Sequence, residues 1–202
     1  MENRILISDS FKKKGKVEVA GWVHNSRDLS KIKFILLRDI SGIIQVTGVK
    51  GKTPANIFDE MEKIPRESII YVRGIITDSK QAPGGKEIIP EEIEVISRAE
   101  DLPIDVSDYS KTELPKRLDY RFLDFHRTRI QAIFKIQNEV TNGFREYFYK
   151  KGFLDMQPPC IISSSSEGGT DLFKVKYFEK DAYLAQSPQL YKQMVACSME
   201  KT

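Results

Sequence analysis

Residues 16–48 read KVEVAGWVHNSRDLSKIKFILLRDISGIIQVTG. Three runs inside this stretch, KVEVAGWVHN, IKFILLRD and GIIQVTG, alternate β-branched or aromatic residues with polar ones, and polar turns separate them. That is the pattern of half-buried strands, and three in succession make a meander. ANIFDEMEKI follows with Ile57, Met61 and Ile64 at helical spacing, and two further strand runs come next, SIIYVRGIITD and KEIIPEEIEVIS.

The order β-β-β-α-β-β is that of a five-stranded OB-fold barrel, an architecture that often binds single-stranded nucleic acid on the face of strands two and three. Other small β-barrels share the strand count. The turn SKQAPGGKE between strands four and five is rich in Gly and Pro and long enough to act as a recognition loop. Charge is uneven along the chain. Residues 1–50 carry 10 Lys and Arg against 5 Asp and Glu, whereas residues 51–100 carry 7 against 10. The first segment is therefore the better anion-facing surface, with a solvated charged face as the plain alternative.

The chain has 202 residues, 40% hydrophobic and 30% charged, enough for one large or two ordinary domains with a real core. Cys160 and Cys197 show no metal-like spacing, which argues for a reducing compartment and for two small core residues. No apolar run approaches the roughly 20 residues of a membrane span, and the N-terminus lacks a signal-peptide core. A soluble cytoplasmic protein without a metal site is expected.

EDLPIDVSDYSKTELPKR, with two prolines and no sustained period, reads as a linker, so the barrel is placed at residues 1–99, the linker at 100–118 and a second domain at 119–202. The second domain opens with RTRIQAIFKIQNEVTNGFREYFYKKGF, whose apolar residues follow one stripe of a long helix that Gly152 would stop. A short strand, FLDMQ, runs into Pro158 and Pro159. The polar loop SSSSEGGTD, a hairpin in LFKVKYFEKDAYLAQ and a final helix in SPQLYKQMVACSME complete an α+β chain.

GFLDMQPP, SEGGTDLFKVKYF and AYLAQSPQLYKQ, in this order and spacing, resemble the start of the catalytic domain of aspartyl-tRNA synthetases of the archaeal and eukaryotic type. The helix, strand and Pro159 resemble motif 1 of class II synthetases, which builds the family's dimer interface. GWVHNSRDL and RDISGIIQV resemble the family's anticodon-binding barrel. The resemblance implies an α+β chain in which an OB-fold barrel precedes the beginning of an antiparallel-sheet catalytic domain. It implies a homodimeric ligase that joins L-aspartate to tRNA(Asp), using ATP and Mg2+. No stretch resembles motifs 2 and 3, which bind ATP, so an inactive fragment is expected. An asparaginyl-tRNA synthetase, which shares the barrel and motif 1, and a non-catalytic tRNA-binding OB-fold module remain alternatives.

Each site residue then has a chemical reading. Ser187 suits a helix N-cap and Pro188 the first helical position, so backbone N–H groups and the positive helix end meet whatever lies there. Gln189 and Lys192 share one face, opposite Leu190, Met194 and Cys197, which are expected in the core. By resemblance Gln189 and Lys192 hold the substrate aspartate, Lys192 in a dry pocket facing its carboxylate. Glu167, on the polar loop, would meet the substrate ammonium group. In the barrel, Phe34 would stack on an unpaired base, Gln45 would read a base edge and Arg27, placed in the first turn, would meet phosphate. Barrel core is the competing reading for Phe34, and Trp22 is assigned to packing. His24, taken to end strand one, and Pro83 match relatives that charge both tRNA(Asp) and tRNA(Asn), so tRNA(Asn) is a second expected partner.

Overall fold

The computed structural model describes residues 3–163 and 171–202, which divide into two units, residues 1–103 and 104–202. In the first, a short helix α1 (Ile7–Ser10) precedes β1 (Gly15–Asp28), β2 (Ile32–Arg38) and β3 (Ile43–Val49). Helix α2 (Ala55–Lys63) leads to β4 (Ile69–Asp78) and β5 (Lys86–Ser97). The strands close a barrel in the order β1-β2-β3-β5-β4, with β3 and β5 parallel and the other pairs antiparallel. This is the OB-fold that the strand order implies.

Alternation sorts the strands into two faces. Val17, Val19, Val23, Ile35, Leu37, Ile44, Val46, Ile70, Val72 and Ile88 fill the interior. Ile57, Met61 and Ile64 of α2 join them at one end of the barrel. The helix can close in because Gly48 has no side chain: a Cβ there would lie 2.6 Å from Met61 Sδ.

β1 is longer than the alternation shows. It runs through His24 and Arg27 to Asp28, with Arg27 opposite Phe34 and Asp28 opposite Lys33, so Arg27 belongs to a strand and not to the turn. His24 does not end the strand either; it is the extra residue of a bulge, since Val23 pairs with Leu37 and Asn25 with Leu36. A bulge bends the strand and shifts the alternation by one residue. The polar run after Asn25 hides this extension because both its faces meet solvent.

In the second unit, α3 (Leu114–Asp119) occupies part of the segment read as a linker, followed by α4 (Arg121–Asp124) and the long α5 (Thr128–Lys150). Gly152, at φ 77°, ends α5 in the left-handed conformation and donates its N–H to Tyr149 O at 3.0 Å. β6 (Ile161–Ile162), β7 (Lys174–Tyr177) and β8 (Lys180–Leu184) form a small antiparallel sheet in the order β6-β8-β7, and α6 (Gln189–Met199) follows.

Three expectations fail here. FLDMQ is not a strand: among the described residues no strand lies beside it, and Leu154 bonds instead to Lys201 O at 3.0 Å. Cys160 and Cys197 are exposed, not core. Leu190 and Met194 are also exposed, since no described element covers that face of α6.

The polar anchor of this unit is Asp124, whose carboxylate takes two bonds from Arg117 at 2.8 and 3.0 Å and one from Arg127 at 3.3 Å. The Arg117 guanidinium, with Arg127 behind it, holds the Asp124 carboxyl below the usual aspartate range. A depressed folded pKa contributes stability above the unfolded value, about 3.9, and that contribution is lost as pH falls through the folded value. Asp124→Asn is therefore expected to destabilise this unit at neutral pH and to flatten its loss of stability below about pH 4. Urea unfolding followed by circular dichroism across that range checks it; unchanged pH dependence would refute the role.

Candidate nucleic-acid interface

The outer face of β1, β2 and β3, with the 79–85 loop, encloses a groove of about 610 Å³. Ile32, Phe34 and Leu36 line it, alternating with the core residues Ile35 and Leu37. Phe34 is thus half-buried on the groove face and not barrel core. Arg27, exposed, stands on the β1 wall beside Asn25, and Pro83 and Gln81 stand on the wall made by the loop.

Gln45 lies in the same groove, next to a residue distant in sequence. Its Nε2 donates to Glu87 Oε2 at 2.8 Å and to Thr47 Oγ1 at 3.1 Å, and Thr47 Oγ1 donates to Glu87 Oε2 at 2.6 Å. This small network fixes the Glu87 carboxylate against the groove floor. Glu87 Oε1 and the Gln45 carbonyl make no hydrogen bond among the described residues. Both are acceptors suited to the N–H groups of an unpaired base, with the Phe34 ring as a stacking surface.

Phe34, Gln45, Arg27 and Pro83 therefore meet in one groove. His24 does not line it. Arg38 donates to His24 Nδ1 at 2.9 Å and to Glu67 Oε2 at 2.9 Å. Because a guanidinium can only donate, His24 Nδ1 is the acceptor and the imidazole proton sits on Nε2. Trp22 packs over the Arg38 guanidinium, 5.8 Å from ring centroid to Cζ, consistent with its assignment to packing.

On α6, Ser187 Oγ accepts the Gln189 N–H at 3.3 Å, and Lys192 N–H bonds to Pro188 O at 2.9 Å. Pro188, not Ser187, is the N-cap of α6, which starts one residue later than expected, so Ser187 precedes the cap, and Gln189 and Lys192 share the first turns of the helix. Lys192, expected in a dry pocket, stands at the rim of a mostly apolar one. Lys192 is exposed and, with Pro188, borders a cavity of about 700 Å³ whose other walls include Phe144, Phe148, Phe153 and Met156. The lining is mostly apolar, with Arg145, Glu146 and Asp155 among its polar members, and no ion pair to the Lys192 ammonium group occurs among the described residues. Glu167 lies outside the described residues. Pro159 is exposed between the 153–158 segment and β6.

Residues 17–96 match the model of the OB-fold nucleic acid binding domain, and residues 113–202 match that of the tRNA synthetases class II (D, K and N). The chain therefore joins an OB-fold nucleic acid binding domain to a part of a class II tRNA synthetase domain. Among curated relatives of this chain, the aspartate–tRNA(Asp/Asn) ligase of Methanopyrus kandleri is 51% identical over 181 residues, covering 89% of this chain and 42% of that one. The aspartate–tRNA(Asp) ligase of Pyrococcus abyssi is 52% identical, covering 89% and 41%. The asparaginyl-tRNA synthetase of Pyrococcus horikoshii, solved with asparaginyl-adenylate, superposes with a TM-score of 0.90 at 33% identity over 98% of this chain and 46% of that one. The chain thus spans less than half the length of these relatives.

Glu87 and Thr47 are polar groove residues that sequence patterning misses. Thr47 had a signal, standing two residues after Gln45 and so on the same strand face. Glu87 had none, because its position opposite Gln45 depends on the parallel β3–β5 pairing.

Proposed function

We propose that this chain serves, within an aspartate–tRNA ligase, to read the anticodon with its barrel and to position aspartate with Gln189 and Lys192. The groove that gathers Phe34, Gln45, Glu87 and Arg27 is the observation that carries the reading. It combines a stacking ring, fixed acceptors and a cation, which unpaired bases and their backbone require. In the reaction the aspartate α-carboxylate attacks the α-phosphate of ATP and pyrophosphate leaves; the aspartyl group then passes to the 3′-terminal adenosine of tRNA. Positioning and charge stabilisation carry such steps. Magnesium would offset charge on the phosphates. No group of three or more candidate metal ligands occurs among the described residues, and none of them is assigned to it.

Aspartate, and not asparagine, is the substrate because the lysine at position 192 offers a charge to a carboxylate. Were that charge enclosed in the working enzyme, loss of its partner would cost about 2 to 5 kcal/mol. Ser187 supports this by ordering the helix start, while Glu167 keeps its role toward the ammonium group by resemblance. The asparaginyl alternative has the superposition with the Pyrococcus horikoshii enzyme in its favour, but the two aspartate ligases are the more similar in sequence.

Overall identity to the single-specificity and dual-specificity ligases is 52% and 51%, so it does not divide them. His24 and Pro83 support the dual type. Pro83 lines the groove without a backbone N–H to offer, which relaxes contact with the third anticodon base, C or U in the two tRNAs. The exposed apolar stripe of α5, including Ile133, Ile136, Val140 and Phe144, supports a homodimer built on motif 1 and Pro159. Among the described residues no helix is long and apolar enough to cross a membrane, and a cytoplasmic role is proposed.

The enzyme that contains this chain is expected to charge tRNA(Asp) and tRNA(Asn) transcripts with aspartate. Charging of tRNA(Asp) alone, with tRNA(Asn) at background, would remove the dual specificity. Activation of asparagine in place of aspartate would remove the ligase assignment. Equal binding of unrelated RNA would leave a generic single-strand binder.

A further inference from the structure

We infer that Lys13, Lys14 and Lys80 form a cationic rim beside the groove that holds the phosphodiester backbone of the same RNA whose bases enter it. The inference rests on the anticodon-reading role of the groove and adds a surface outside it. Its geometry comes from two segments far apart in sequence. The 79–85 loop, whose Gln81 and Pro83 form one wall of the groove, is seated on the segment 11–14. Gly84, at φ 76°, lies so close to Phe11 that a Cβ there would stand 2.7 Å from Phe11 Cε1. Lys86 Nζ donates to Lys13 O at 3.3 Å. These contacts bring the run Lys12, Lys13, Lys14, Gly15, Lys16 to the groove side that carries Lys80.

All of these lysines are exposed except Lys86, which is half-buried. Lys12 is paired with Asp9 at 3.2 Å, Lys16 with Glu91 at 3.0 Å and Lys86 with Asp78 at 4.0 Å. Lys13, Lys14 and Lys80 have no acidic partner among the described residues, so the positive potential there is not cancelled locally. Clustered like charges repel one another and hold a counter-ion atmosphere that a polyanion displaces.

The groove itself requires such a rim. Its floor is apolar along β2, where Ile32, Phe34 and Leu36 lie, and the fixed Glu87 carboxylate repels phosphate. An RNA strand that lays bases on Phe34 and Glu87 must carry its phosphates along the walls. Arg27 supplies the cation on the β1 wall, and Lys13, Lys14 and Lys80 supply them on the other.

Phosphate contacts and base contacts separate experimentally. Neutralising a phosphate gives a salt dependence but no sequence preference. The test is binding of an anticodon stem-loop carrying the tRNA(Asp) anticodon to this chain and to its Lys13→Ala/Lys14→Ala/Lys80→Ala variant, across a salt series. Because the three side chains are exposed, the variant is expected to melt as the parent does. The slope of log K against log salt is expected to become shallower by about 2 to 3, at roughly 0.7 to 0.9 for each of the three phosphates that are no longer neutralised. The preference among stem-loops altered in the anticodon is expected to persist. An unchanged slope with binding intact overturns the rim and leaves the groove reading standing. A shallower slope accompanied by loss of anticodon preference overturns it too, since the lysines would then act through the bases. Absence of stem-loop binding by the parent overturns the groove reading and the rim together.

Discussion

Phe34→Ala is expected to weaken tRNA binding by about fivefold to about 150-fold, the loss that corresponds to about 1 to 3 kcal/mol of base stacking. The ring projects from the outer face of β2 between Arg27 of β1 and Thr47 of β3, its two cross-strand partners. Its neighbours along the strand, Lys33 and Ile35, point the other way: Ile35 is fully buried in the core, and Lys33 bonds to Glu62 of α2 at 2.8 Å. Removing the ring therefore strips the groove of its stacking surface and leaves no cavity in the core. Phe34→Tyr and Phe34→Trp keep a π-face and are expected to retain binding, whereas Phe34→Leu keeps apolar area without it. Fluorescence anisotropy with labelled tRNA(Asp), beside a thermal melt of each variant, measures both quantities. Binding within twofold of the parent for Phe34→Ala would exclude stacking, and a collapse of stability would return Phe34 to the core.

Arg38→Met is expected to destabilise the barrel by about 3 to 5 kcal/mol, because it leaves the Glu67 carboxylate buried without the cation that faces it. Arg38 and Glu67 lie 2.9 Å apart with side chains only 6% and 3% exposed. Glu67 sits at φ 65°, in the turn entering β4, where its N–H bonds to Val23 O at 2.7 Å and Val23 N–H bonds to Ser68 O at 2.9 Å. The ion pair thus fastens the end of β2 to the turn that lets β4 close against β1. A loss of that size lowers the melting temperature by more than about 10 °C in a domain this small. Trp22 is the single tryptophan of the chain and packs over Arg38, so its fluorescence reports unfolding of the barrel directly. The double variant Arg38→Met/Glu67→Gln is expected to recover part of the loss, since the buried carboxylate charge is removed together with the guanidinium that faces it. A single variant within about 1 kcal/mol of the parent would show that the pair contributes no more than a surface salt bridge does.

Much of the barrel was legible because its signals are local. Alternation in KVEVAGWVHN, IKFILLRD and GIIQVTG reports which side chains face water, and the 3.6-residue period of ANIFDEMEKI reports the helix that closes one end. The long helix and its stop at Gly152 were legible for the same reason, as were the existence of α6 and the β7–β8 hairpin, although α6 starts one residue later than Ser187 and Pro188 imply. Phe34 and Gln45 were named through the family resemblance, since patterning alone left Phe34 open between groove and core, and β2 lying against β3 decides for the groove.

What local patterning could not show depends on the partner of each segment. The bulge at His24 resets the alternation of β1, so the extension to Asp28, the strand position of Arg27 and the hydrogen bond from Arg38 to His24 emerge only once β1 lies against β2. Glu87 reaches Gln45 through a parallel pairing between residues 42 apart, and neither strand records the register of the other. The apolar residues of α6 illustrate the converse. Leu190, Met194 and Cys197 carry the spacing of a buried stripe, yet they stay exposed where no neighbouring layer covers them. The sequence by itself determined the periods, the turns and the chemical types available to a site. The tertiary structure alone decided which of them meet, because a period fixes the direction of a side chain, whereas burial and contact depend on the distant segment that arrives opposite it.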